Sequence, residues 1–249
     1  MVHEWHLDGQ KVITLTPHRD GSGWHVIYLH GGAYIHPLAR PHWGIIGAII
    51  AATGASVTVP LYALAPENDY RRATALMHSV YDTVQKQAPG ASIALAGDSA
   101  GGNLALNFTL RRRDMGQSLP QRLLLFSPWL DLELRDPRIR ALEARDVILA
   151  VDGLRQAGAW WAGDANPACA QLSPLYAELT GLPPIAIFQG DADIFVIDAR
   201  TFAARCVTAR VECDYREYPG AFHVFVGATF TPEARDVFDR LSLTMPPSG

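Results

Sequence analysis

The chain has 249 residues, of which 49% are hydrophobic and 18% charged; that balance supports a buried core and argues against intrinsic disorder. With 21 Lys+Arg against 25 Asp+Glu the formal net charge is −4, so no basic surplus points to nucleic acid or to an anionic membrane. The length suits one α/β domain over residues 1–249. Three cysteines, Cys169, Cys206 and Cys213, fit neither a zinc site nor a CxxC motif, and reduced thiols in a cytoplasmic protein account for them. Residues 1–6 lack the order of a secretory leader, and no apolar run reaches the ~18 residues of a membrane span.

Strand and helix patterns alternate along the chain, which predicts a mostly parallel sheet with helices on both faces. Residues 12–16 and 25–29 read as early strands around a turn at Asp20-Gly21-Ser22-Gly23. A helix follows over about 41–52, with Trp43, Ile46 and Ile50 on one face and Gly54 ending it. Residues 56–59 form the next strand. Residues 71–87 read as a helix burying Leu76, Met77, Val80, Tyr81 and Val84. The strand 92–96 runs into Gly97-Asp98-Ser99, and a helix starts at about Ala100 with Leu104, Ala105 and Phe108 inward. That helix ends in Arg111-Arg112-Arg113, read as a solvated last turn, and it absorbs the glycosylation-like triplet Asn107-Phe108-Thr109. Residues 123–126 are a fully apolar buried strand. About 128–180 breaks the rhythm and reads as a helical insertion over the sheet's C-terminal edge. Residues 184–188 resume the sheet, Asp198 reads as the cap of a helix carrying Phe202 and Cys206, residues 211–216 alternate as a half-exposed strand, and Thr231-Pro232 opens the last helix.

Gly97-Asp98-Ser99-Ala100-Gly101 fits G-x-S-x-G between a strand and a helix, the setting of a nucleophile elbow. A serine that merely caps a helix gives the same local pattern. His30-Gly31-Gly32-Ala33-Tyr34 follows another apolar strand. Its glycine backbone can bring N–H groups close to a developing oxyanion, with Gly32, Ala33 and Ala100 as donors and Gly31 as a further one. His30 itself reads as a structural hydrogen bonder. A serine nucleophile needs a base and an orienting carboxylate. Of nine histidines, only His223 follows Ser99. The acid lies in Gly190-Asp191-Ala192-Asp193, where Asp193 is favoured; Asp191 and the more distant Asp131 compete. Tyr34, Trp129, Trp160, Trp161 and Phe222 are candidates for an apolar substrate pocket, or for ordinary core.

Taken in one order, His30–Tyr34, Tyr62-Ala63-Leu64-Ala65-Pro66-Glu67, Gly97–Gly102, Ser127-Pro128-Trp129-Leu130-Asp131, Ser173-Pro174-Leu175-Tyr176 and Gly220–Phe225 resemble the hormone-sensitive-lipase-like esterases, the α/β-hydrolase fold-3 group. The resemblance spans about residues 24–240. It implies an α/β-hydrolase fold, with an eight-stranded, mostly parallel sheet flanked by helices and a small helical cap. It also implies hydrolysis of short acyl esters through Ser99, His223 and Asp193, with a small-molecule ester as partner and no metal or organic cofactor. Amidase or arylformamidase chemistry uses the same groups and stays open. The related gibberellin receptors, which bind without hydrolysis, lack the histidine this chain has at position 223. Self-association into a homodimer also stays open. Three departures stand out: Ala33 replaces the third glycine of the family's HGGG, the acid loop reads Asp-Ile-Phe, and few residues precede His30. The last predicts a cap built mainly from 128–180.

Overall fold

The computed structural model describes residues 1–17 and 21–246. Its one sheet has eight strands in the order β1-β2-β4-β3-β5-β6-β7-β8. These are β1 (Val2–Leu7), β2 (Gln10–Leu15), β3 (Trp24–Leu29), β4 (Ser56–Pro60), β5 (Ser92–Asp98), β6 (Arg122–Phe126), β7 (Ile185–Gly190) and β8 (Cys213–Tyr218). β1 and β2 pair antiparallel, as do β2 and β4, and every other pairing is parallel. β1 has no counterpart among the strands read locally from the sequence. Its residues are mostly exposed, so no buried stripe marks it. Asp20 of the predicted turn lies outside the described residues.

Among the described residues seven helices cover the sheet: α1 (Arg40–Thr53), α2 (Tyr70–Gln87), α3 (Ala100–Asp114), α4 (Pro137–Leu142), α5 (Val151–Ala162), α6 (Val196–Thr208) and α7 (Pro232–Thr244). Strand alternation sends Ile27, Leu29 and Leu125 into a core shared with α2, α3, α5 and α6, and Val26, Tyr28 and Phe126 into one shared with α1 and α7. α2 buries the five residues expected of it. α1 ends at Gly54 in the left-handed conformation (φ 65°), but its buried face is Ile45, Ile46, Ile49 and Thr53, while Trp43 is exposed. α3 is buried on all sides from Ala100 to Leu110. In its last turn Arg112 is also buried, against Asp82 (3.0 Å) and the Ser118 carbonyl (2.7 Å), so the arginine run is not simply solvated.

The helices α4 and α5 lie between β6 and β7, with 3-10 turns at Glu143–Arg145 and Pro174–Tyr176. α5 packs into the body, where Trp161 stacks on Tyr34 with centroids 3.8 Å apart. Asp198 is not a cap. It sits inside the first turn of α6, buried, with Oδ2 unpartnered, and Phe195 is the residue before the helix. Thr231 does cap α7, accepting from the Ala234 N–H at 3.3 Å.

Candidate active site

The parallel register sets Leu29 beside Gly97, Gly97 beside Leu125, and Leu125 beside Ile187. The loops after β3, β5, β7 and β8 therefore leave the sheet at one edge. Ligand sites of open α/β sheets form at this carboxyl edge.

β5 turns into α3 at Ser99, whose φ of 52° and ψ of −120° put a non-glycine residue in a strained conformation. The turn is this tight because Gly97 and Gly101 touch: a Cβ on Gly97 would strike the Gly101 backbone, and one on Gly101 would strike the Leu29 carbonyl oxygen. The strain aims the Ser99 hydroxyl away from the sheet. Its Oγ lies 2.9 Å from Nε2 of His223, and the opposite ring nitrogen, Nδ1, lies 2.7 Å from Oδ2 of Asp193. A carboxylate only accepts, so Nδ1–H donates to Asp193 and Nε2 accepts from Ser99. All three side chains are buried. Burial alone would push the imidazole down, but the carboxylates of Asp193, Asp146 and Asp98 outweigh it and hold its pKa above the ordinary value.

Asp193 is itself fixed. Its Oδ1 accepts from the Phe195 N–H (2.8 Å), and Oδ2 also accepts from Gln189 Nε2 (2.8 Å). The rival aspartates are engaged elsewhere. Asp191 accepts from Gly220 N (2.6 Å). Asp131 accepts from the N–H groups of Glu133 (3.0 Å) and Arg135 (2.9 Å) and from the Tyr176 hydroxyl (2.7 Å).

The loop after β3 brings Gly32 and Ala33 to the same spot, at φ 111° and 52°. The N–H groups of Gly32 and Ala33, and that of Ala100 at the start of α3, have no partner among the described residues. Gly31 differs from expectation: its N–H already donates to Asp98 Oδ1 at 3.0 Å, so it is not free for an oxyanion. Asp98 also accepts from the Tyr28 hydroxyl (2.5 Å) and faces His42 Nε2 at 3.5 Å. Burial would raise its pKa, yet the His42 hydrogen bond and charge and the Tyr28 hydroxyl outweigh that and hold it low. His30 is structural, as read: Nδ1 pairs with the Gly31 carbonyl (2.7 Å), the ring stacks on Tyr62, and burial lowers its pKa.

Above Ser99 opens a cavity of about 790 Å³ with mostly apolar walls. Pro41 and Ile45 of α1, Ile148, Leu149 and Leu154 of the insertion, and Phe222 and Phe230 of the last loops form them. Among the described residues, His36, His42, Asp98 and His223 are its only ionisable lining groups, and no Lys or Arg lines it. Of the five aromatic residues offered for the pocket, only Phe222 lines it. Tyr34 and Trp129 are fully buried in the core, the first bonded to Asn103 Oδ1 (2.6 Å), the second to the Asp131 carbonyl (2.7 Å). Trp161 belongs to the same stack, and Trp160 is exposed. Asp98, Gln189 and the insertion's Ile148, Leu149 and Leu154 were not singled out from the sequence. Asp98 is the free position of the serine motif, and no local pattern marks the others. Among the described residues no cluster of His, Cys, Asp and Glu could hold a metal ion, and no helix is long and apolar enough to cross a membrane.

Such a sheet, with a serine on a strained strand-to-helix turn at its carboxyl edge, defines an α/β hydrolase. The chain belongs to the family described as alpha/beta hydrolase fold, which matches residues 26–227, within its hormone-sensitive-lipase-like group. It is 31% identical to an esterase of Acinetobacter venetianus over 84% of this chain and 70% of that protein. It is likewise 31% identical to an acetyl-hydrolase of Streptomyces hygroscopicus over 80% of this chain and 67% of that one. Among solved structures, an esterase from the bacterial hormone-sensitive lipase family superposes with a TM-score of 0.91 at 28% identity, covering 98% of this chain and 83% of that chain.

Proposed function

We propose that the protein is a serine carboxylesterase that hydrolyses uncharged short-chain acyl esters through an acyl-enzyme. One observation carries the reading: the hydrogen-bonded line Ser99–His223–Asp193 ends at an apolar cavity beside three unpartnered N–H groups. The names of the relatives, esterase and acetyl-hydrolase, point the same way.

In this reading His223 takes the Ser99 proton as Oγ attacks the ester carbonyl. Asp193 holds the ring tautomer and stabilises the imidazolium. The oxyanion is received by the N–H groups of Gly32, Ala33 and Ala100, at the positive end of α3. His223 returns the proton to the leaving alcohol. Water then attacks the acyl-enzyme with His223 again as base, releasing the acid and restoring Ser99. The chemistry would serve an amide equally well. The cavity separates the candidates: N-formylkynurenine carries a carboxylate, and among the described residues no cationic Lys or Arg lines the wall to meet it.

The test is a p-nitrophenyl ester series from acetyl to decanoyl, run beside N-formylkynurenine, with wild type and Ser99→Ala. We expect a burst of one p-nitrophenolate per active site with short chains and its abolition in Ser99→Ala. Undiminished turnover by that variant would end the proposal.

A further inference from the structure

Asp146 stands at the end of the 3-10 turn Glu143–Arg145, where the insertion begins to line the cavity. Its carboxylate is held by three backbone donors from two distant segments. Oδ1 accepts from the N–H groups of Ile148 and Leu149, both at 2.9 Å, and Oδ2 accepts from the N–H of Ile194, also at 2.9 Å. Ile148 and Leu149 are wall residues of the cavity. Ile194 directly follows Asp193. The next N–H, that of Phe195, closes the turn on Asp193 Oδ1, and the Phe195 ring stands edge-on to His223 with centroids 5.1 Å apart. One carboxylate thus spans from the substrate wall to the acid loop.

We propose that Asp146 is a positioning residue, joining the insertion's cavity wall to the Asp193 loop and thereby holding His223 in line with Ser99. The inference rests on the esterase reading of the same site. Two backbone segments that share one carboxylate cannot shift independently without leaving a donor unsatisfied. The loop after β7 is otherwise held by its own turn, by Gln189, by His223 and by the loop after β8 through Gly220 and Ala221. Among the described residues Asp146 supplies the hydrogen bond that ties that loop to the insertion's side of the cavity wall. The same carboxylate acts on the imidazole through space. The charged groups that bear most on His223 are Asp193 from the loop after β7, Asp146 from the insertion and Asp98 from the end of β5, all anionic.

The variants Asp146→Asn, Asp146→Ala and Asp146→Glu separate these contributions. Asparagine keeps one acceptor oxygen but loses the charge and can satisfy only one of the two segments. Alanine loses both, and glutamate keeps the charge on a longer arm. Turnover is expressed per site labelled by a fluorophosphonate, so that misfolded protein drops out. For Asp146→Asn we expect kcat to fall about tenfold, the worth of one charge-assisted hydrogen bond, with KM rising for esters long enough to reach Ile148. The acid limb of the kcat/KM profile should move to lower pH, because an anion that favours the imidazolium is gone. Asp146→Glu should restore that limb. Unchanged kcat per labelled site together with an unmoved limb would overturn the proposal, whatever happens to thermal stability. The His223 ring titration, followed by NMR and assigned with His223→Asn, reads the same effect without turnover. If wild type hydrolyses no ester, the esterase reading alone fails. The proposal then stands or falls on whether that titration drops in Asp146→Asn.

Discussion

An aspartate's role here is set by what its oxygens already accept. Asp191 and Asp131 spend theirs on backbone turns, and only Asp193 keeps an oxygen for His223. Asp193→Asn should therefore lower kcat by about four orders of magnitude, as loss of the orienting acid does in serine hydrolases. Asp191→Asn should leave kcat within a few-fold, measured on the same ester. Asp198 behaves oppositely from a paired carboxylate. Burial, then the nearby Asp131 and Asp136, push its pKa from 3.8 up to about 8. The folded chain thus holds a proton that the unfolded chain releases. The stability this proton gives is full below about pH 4 and is lost as the pH rises toward 8. Asp198→Asn removes that dependence, and should stabilise the protein at pH 7 by on the order of 2–4 kcal/mol. Urea melts from pH 5 to 8 decide it: a variant that loses stability with pH as steeply as wild type would refute the assignment.

At the scale of elements, the strand-to-helix turn at Ser99 depends on two glycines in contact. Gly101→Ala would drive a methyl into the Leu29 carbonyl oxygen, which is backbone and cannot step aside. We expect loss of soluble folded protein, or destabilisation above about 4 kcal/mol, read by circular dichroism and melting. These elements were legible because the sequence states them locally. Strand, turn and helix around Ser99 occupy one continuous stretch, and the α2 face repeats at helical spacing. The α1 face differs from the expected one because the helix is apolar on adjacent stripes, so Ile45 and Ile49 compete equally with Trp43 and Ile50, and the choice is made by α7 and the sheet. Tyr34 and Trp129 followed site motifs and so looked like pocket residues. Their polar atoms instead find partners in the core, where large aromatic rings bury the most surface. Gly31 departs from the expected donor set because a free N–H and a bonded one look alike in sequence.

For the whole molecule, the cavity is assembled from segments far apart in the chain, from Gly32 to Phe230. No local pattern announces a wall built that way, so the insertion's part in it could be expected but its residues could not. Phe230 offers a clean probe because it lines the cavity while remaining 76% exposed. Phe230→Ala should leave stability within about 0.5 kcal/mol. KM for hexanoyl or octanoyl esters should rise several-fold while KM for acetyl esters holds. A loss equal for both chain lengths would remove Phe230 from the binding wall.

Asp98 couples two parts of this assembly in a way that bears on time. Its carboxylate takes the Gly31 N–H and the Tyr28 hydroxyl, so the loop of Gly32 and Ala33 is already locked to the strand that delivers Ser99. This loop need not rearrange after the ester arrives. A stopped-flow trace of p-nitrophenolate release should begin at its full initial slope, without a lag, at every substrate concentration.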